Sequence, residues 1–161
     1  MRNGPGRGTA RGGDRGHEIL PHTADTGLRA WAPDLPGLFE EAAGTLAEIA
    51  AEVPRGESRD AGGESHPVRI AVEARDLVGL AFAWLSELIG LADASHAALA
   101  GARVSRVNET PEGWTLEGSA RFVPIGRGDV RPRHDVKSAT YHGLRVERLA
   151  GGWSLTTYLD I

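Results

Sequence analysis

The side chains best suited to chemistry fall in three short segments of the chain. The first is His-Thr-Ala-Asp at 22–25, the second runs from His134 to His142, and the third is the C-terminal Leu-Asp-Ile at 159–161. Their carboxylate, imidazole, ammonium and hydroxyl groups are used in cation binding and acid–base catalysis. The sequence has no GxSxG nucleophile motif, phosphate-binding loop, paired-histidine zinc motif or dinucleotide fingerprint.

The C-terminal residues alternate in the manner of a β-strand up to the end of the chain. Residues 153, 155, 157 and 159 fall on one face, and 154, 156, 158 and 160 on the other. Such a strand would hold the terminal carboxylate of Ile161 beside the side chain of Asp160. Two negative groups so close repel each other and favour a bound cation. The alternative is a solvated terminus with ordinary charges, and the pattern does not decide between the two.

Asp25 is a candidate for a third carboxylate at the same cation. An all-oxygen site of this composition would suit Ca²⁺, Mg²⁺ or Mn²⁺ over Zn²⁺. Asp25 also stands at the end of a turn, where an aspartate commonly accepts backbone N–H bonds. Because spacing alone does not bring Asp25 next to Asp160, the turn-forming role is favoured at this point.

The middle segment offers groups for proton transfer or phosphate binding. Histidines such as His134 and His142 here, and His22 in the first segment, are common general acids and bases. Lys137 and Thr140, together with His142, could bind phosphate or position a water molecule. The more common arrangement of such residues is a polar outward face with one structural histidine.

The length, composition and net charge of the chain exclude some classes of function. The chain has 161 residues, no cysteine and a net charge of −4, which predicts one domain in a reducing cytoplasm. No apolar run is long enough to span a membrane and no secretory signal is present. Residues 1–16 are rich in Gly and Arg and are predicted to be a disordered tail. The absence of a basic stripe outside this tail favours a protein or metal partner over direct RNA binding.

The remaining sequence predicts the elements that position these segments. Helical periodicity begins after Asp34 and again after Asp76, both good N-cap residues. Strands are predicted before the first helix, between the helices and throughout the C-terminal part. Residues 102–109 and 114–123 are predicted to form one hairpin around 110–113, and residues 136–149 and 151–161 a second hairpin around 150–152. Because the strands cluster instead of alternating with helices, the prediction is a two-layer α+β domain over residues 17–161, with two helices packed on a mixed or antiparallel sheet.

Four segments in the same order resemble the archease family. They are HTADTGLRAWAPDLPGLFEEAAGTL, RDLVGLAFAWLSELIGL, VKSATYHGLRVE and the ending YLDI. The resemblance covers the chain from about residue 17 to the end. It departs from the family pattern at Ser138 and Ala139, where the family has Ala-Val, and at the additional Gly/Arg tail and the polar loop 54–66.

The resemblance implies a function that the residue patterns alone do not. Archeases assist the GTP-dependent RNA-splicing ligase of the RtcB type in tRNA splicing or RNA repair, by promoting guanylylation and multiple turnover. They are accessory proteins and not enzymes. Their site binds a divalent cation, seen as calcium. Carried over by motif, its ligands would be Asp25, Asp160 and the terminal carboxylate of Ile161, with His22, Lys137, Thr140 and His142 in supporting roles.

Two other classes of function remain open from the sequence. One is a stand-alone metal-dependent phosphoester hydrolase that uses the same carboxylates, with His22 or His142 as general base. The other is an RNA-binding or chaperone-like module that uses the arginine-rich tail.

Overall fold

The structure is a computed structural model that describes residues 14–21, 25–54, 66–126 and 129–161. In these ranges the chain forms two long helices and a set of antiparallel strands, which confirms the predicted α+β class. The order is β1 Gly16–Pro21, β2 Thr26–Ala32, α1 Leu35–Ala50, β3 Ala51–Glu52, β4 Val68–Ala74, α2 Leu77–Ser95, β5 Ala97–Thr110, β6 Gly113–Pro124, β7 Arg131–Pro132, β8 Ser138–Ala139, β9 Arg145–Leu149 and β10 Gly152–Asp160.

Helix α1 begins where the sequence predicts it. The side chain of Asp34 accepts a 2.7 Å hydrogen bond from the backbone N–H of Gly37, which satisfies one of the free donors of the first turn. Pro36 also lies in this turn, where its missing N–H costs no helical hydrogen bond. Leu38, Phe39 and Ala42 are fully buried, so the predicted apolar stripe faces the core.

Helix α2 is capped in the same way by Asp76, which accepts from Gly79 N at 2.7 Å. By length and composition it is long enough to cross a membrane, with a mean hydropathy of 1.6 over its best window. The prediction that no apolar run is long enough to span a membrane is therefore wrong. Leu80, Trp84 and Leu88 are fully buried in the core, and 28% of that window is buried.

The strands divide into more than the one sheet that was predicted. In the described residues a five-stranded sheet runs β1-β2-β10, with β8 and β9 both beside β10, and a three-stranded sheet runs β4-β6-β5. The short β3 and β7 form a further pair. The predicted hairpin of β5 and β6 is confirmed by the Thr110–Gly113 pairing. The predicted continuous strand at 136–149 is interrupted, because residues 140–144 leave the sheet between β8 and β9.

Both larger sheets contribute to one hydrophobic core with the two helices. Leu155 of β10 and Leu116 of β6 are fully buried in the same cluster. The indole N–H of Trp84 donates to the carbonyl of Phe39 at 3.0 Å, which joins α2 to α1 inside this core. The hydrogen bond satisfies the only polar group of a fully buried side chain.

The described residues begin at Asp14, slightly before the predicted boundary at residue 17. Most of the predicted tail, 1–13, lies outside the described residues. Gly16 is the first residue of β1 and pairs with Trp31. The guanidinium of Arg15 binds the carboxylates of Glu40 and Glu41 on α1. Backbone pairing and ion pairs therefore extend the folded domain to residues that composition alone assigned to the tail.

Candidate metal site at the C-terminal strand

The C-terminal strand β10 is paired on both sides up to its last residues. Leu159 pairs with Thr26 of β2 on one side and with Ala139 of β8 on the other. Asp160 pairs with Ser138, and its carbonyl accepts a 2.8 Å hydrogen bond from the backbone N–H of Lys137. A strand held from both sides does not fray as a free terminus does. The C-terminal residue therefore follows a fixed backbone.

Asp25 is brought to the same end of the sheet by the pairing of β2 with β10. It directly precedes Thr26, and Asp160 directly follows Leu159, the partner of Thr26. The ladder itself ends at this pair and Asp25 lies in a bend, but the same antiparallel register, if continued by one residue, would place Asp25 opposite Asp160. Residues opposite each other in such a pair project their side chains from the same face of the sheet. Asp25 is half-buried, Asp160 is exposed and Ile161 is half-buried.

The donor atoms at this strand end are all carboxylate oxygens. No group of three His, Asp or Glu side chains in the described parts of the chain is arranged as a set of metal ligands. The predicted set contains only two such side chains, since its third donor is the terminal carboxylate of Ile161. Hard oxygen donors with open solvent beside them suit a cation that completes its shell with water, such as Ca²⁺ or Mg²⁺. The residues present therefore fit the predicted kind of cation.

Thr140 uses its hydroxyl within the fold. The hydroxyl donates to the carbonyl of Tyr158 at 2.9 Å and accepts from the backbone N–H of His142 at 3.3 Å. The carbonyl of Thr140 in turn accepts from the hydroxyl of Thr157 at 3.2 Å. The hydrogen bonds with Tyr158 and Thr157 hold residues 140–144, which follow β8, against β10. The hydroxyl is thus a positioning group and is not directed at an external phosphate.

The other predicted supporting residues differ in their surroundings. The side chain of Lys137 is exposed beside the end of β10, and no ion pair to it occurs within the described ranges. His142 is exposed, with its ring 5.5 Å from that of Tyr158. His22 lies outside the described residues. Lys137 and His142 therefore face solvent near the strand end, where a partner can reach them.

An exposed aromatic residue beside this segment was not identified from the sequence. Tyr141 is 61% exposed, and its ring stacks on that of Phe82 of α2 at a centroid distance of 4.2 Å. A tyrosine held flat on a neighbouring ring presents apolar area to solvent in a defined orientation. The only available sequence signal was the Tyr-His pair at 141–142, which does not report exposure.

A second cluster of charges ties β1 to α1. The two ring nitrogens of His17 lie 3.0 Å from the carboxylate of Glu41 and 2.8 Å from that of Glu48. Partial burial by itself lowers the pKa of His17, but the hydrogen bonds to the two carboxylates outweigh it and the pKa is raised. Burial likewise raises the pKa of Glu41, and the bonds from Arg15 and His17 bring it below its ordinary value.

These features define a class of small α+β domains whose C-terminal strand lies inside a sheet. A model of the archease protein family (MTH1598/TM1083) matches residues 17–161. The protein archease of Methanopyrus kandleri is 32% identical over 145 residues, covering 89% of this chain and 98% of the relative. That of Thermococcus gammatolerans is 31% identical over 135 residues, covering 84% and 90%. The chain therefore belongs to the archease family.

Solved structures agree with this assignment. The solution structure of protein 1598 of Methanobacterium thermoautotrophicum matches with a TM-score of 0.70 at 27% identity, covering 91% of this chain and 99% of that one. The crystal structure of a Thermotoga maritima archease, described as a possible chaperone, matches with a TM-score of 0.52 at 16% identity, covering 89% and 96%. The second likeness is one of fold alone. Together they confirm two helices packed on antiparallel sheets.

Proposed function

We propose that this chain is an accessory factor of a GTP-dependent RNA-splicing ligase of the RtcB type. In this role it stimulates guanylylation of the ligase and its multiple turnover in tRNA splicing or RNA repair, in the cytoplasm, without being an enzyme itself. The proposal follows from membership of the archease family. The observation that supports it most is the pairing of β10, whose last residues adjoin Asp25 on one side and Lys137 on the other.

Asp25, Asp160 and the carboxylate of Ile161 would hold one divalent cation, with calcium as the expected ion. Such a cation supplies positive charge that neutralises the clustered carboxylates and can attract anionic groups of a partner. Residues of the chain itself would hold the cation ligands and the adjoining segment in position. Pairing of β10 with β2 and β8 fixes the carboxylates, and the hydroxyl of Thr140 fixes the adjoining segment.

The surface that would meet the ligase surrounds this strand end. Tyr141 presents its exposed ring, Lys137 and His142 present polar groups, and all three belong to one short segment held against β10. Exposed aromatic residues with an orientation fixed by packing are favourable anchors in protein interfaces. We assign Tyr141 as the apolar anchor and Lys137 as the charged contact beside it.

The experiment is RNA ligation by a matched ligase under multiple-turnover conditions, with and without the full chain and its native C-terminus. We expect strong stimulation by the unmodified chain and loss of it with Asp160→Asn. The matched control is Glu112→Gln, which removes an exposed carboxylate from the β5–β6 turn. No stimulation by the folded chain would contradict the proposal. Turnover of phosphoesters by the purified chain alone would instead support the stand-alone hydrolase.

A further inference from the structure

The three-stranded sheet has an outer face on which arginines from separate strands meet. Arg69 of β4 and Arg103 of β5 are both paired with Ser119 of the central strand β6. Cross-strand partners share a face of the sheet, and these three lie opposite to the buried row of Ile70 and Val104. The two arginines are two strand spacings apart, about 10 Å, with a serine hydroxyl between them. This Arg69–Ser119–Arg103 set is called the arginine row.

The arginine row carries positive charge that the fold does not neutralise. Within the described part of the chain, neither Arg69 nor Arg103 forms an ion pair. The carboxylates that adjoin the row already have partners. Glu117 lies 3.9 Å from Arg106, and Glu40 accepts from the backbone N–H of Val104 at 2.9 Å and from Arg15 at 2.8 Å. Arg69 and Arg103 are therefore the two charged side chains of this surface that have no ion-pair partner among the described residues, on a chain whose net charge is −4.

The row lies in a surface depression of about 690 Å³, which the carboxylates of Glu40 and Glu117 line as well. Guanidinium groups donate in pairs to phosphate oxygens, and a serine hydroxyl adds a further donor. The exposed side chains of this part of the face are short or polar, and they offer no large apolar anchor of the kind that protein interfaces need. Interfaces with nucleic acid are more polar and more positive than those with proteins.

We propose that the arginine row binds the phosphate backbone of RNA. The inference rests on the proposed function, because the ligase is what would bring RNA to this face. An acidic chain with two uncompensated arginines binds RNA weakly and in a salt-dependent manner. The row therefore acts as an auxiliary contact that holds an RNA strand already bound by the ligase, and Arg69 and Arg103 each contact one phosphate.

The test measures binding of a fluorescently labelled single-stranded RNA to the full chain alone by anisotropy, from 50 to 200 mM salt. The double variant Arg69→Gln/Arg103→Gln is compared with Arg75→Gln/Arg131→Gln, which removes the same charge from exposed positions elsewhere. We expect the row variant to bind about tenfold more weakly at low salt. The slope of log K against log salt should fall by about 1.4, since each single-strand phosphate contact contributes about 0.7. Circular dichroism checks that both variants fold.

Three results would overturn the proposal. One is unchanged RNA affinity of the row variant, and another is an equal loss in the control variant, which would mean that only total charge matters. The third is loss of inorganic phosphate binding with RNA affinity intact, which would identify a small-anion site. The measurement uses no ligase, so its outcome is separate from that of the ligation assay.

Discussion

Replacing Asp160 with Asn should stabilise the metal-free protein while removing its response to calcium. The register of β2 and β10, continued by one residue beyond Leu159 and Thr26, would place Asp160 opposite Asp25, and side chains so paired have Cβ atoms about 5 Å apart. Two unit charges about 5.5 Å apart repel by about 0.8 kcal/mol in a water-like dielectric and about 3 kcal/mol at an effective dielectric constant of 20. Because Asp160 is exposed, screening holds the effect near the lower value.

We therefore expect Asp160→Asn to raise the free energy of unfolding by about 1 kcal/mol in EDTA, which corresponds to a rise in Tm of about 2–4 °C. The amide keeps the size of the side chain, and the backbone pairing of Asp160 with Ser138 is untouched. A cation at one hundred times its Kd stabilises the unsubstituted chain by about 2.7 kcal/mol. The variant, which lacks one ligand charge, should lose most of this gain.

The assay is thermal unfolding followed by circular dichroism, in EDTA and across a calcium titration. Glu112→Gln serves as the control, and a surface change of this kind should stay within about 0.5 kcal/mol in both conditions. A lower Tm of Asp160→Asn in EDTA, together with an unchanged calcium response, would contradict this expectation. That result would mean that the carboxylate has a stabilising partner in the fold and that the cation, if bound, uses other donors.

Three further changes test other parts of the structure by the same unfolding assay. His17→Ala should cost up to about 1 kcal/mol at pH 5.5 and less at pH 8.5, because a raised pKa gives stabilisation that is complete below the unfolded pKa and lost above the folded one; an equal cost at both pH values would contradict this. Trp84→Phe should cost about 2–3 kcal/mol, from a lost hydrogen bond and a cavity, and a cost under about 0.5 kcal/mol would show that the indole is not needed. Thr140→Ala should cost about 1 kcal/mol and weaken ligase stimulation, whereas full stimulation would show that the 140–144 segment is not part of the interface.

The parts of the fold that sequence could predict are those decided by local interactions. Asp34 and Asp76 cap the first turns of α1 and α2, and each cap depends on a donor three residues away. The β5–β6 hairpin follows from turn residues between two strands. The residues that form these features are neighbours in the sequence. Residue type and periodicity are therefore enough to locate them.

The parts that could not be predicted depend on contacts between distant strands. Asp25 and Asp160 adjoin only because the first part of the chain pairs with the last strand, and no spacing rule indicates this. The arginine row is assembled from three strands in the same way, so its residues are far apart in the sequence. The role of Thr140 was missed because the acceptor of its hydroxyl, the carbonyl of Tyr158, lies across the sheet.

The most direct test of the account is the rate at which a matched ligase forms its covalent guanylate with labelled GTP. The reaction is followed with no added chain, with the unmodified chain and with Asp160→Asn, each in calcium and in EDTA. The account predicts faster guanylylation with the unmodified chain in calcium only, and a basal rate with Asp160→Asn. An unchanged rate with the folded, calcium-bound chain, or full stimulation by Asp160→Asn, would contradict it.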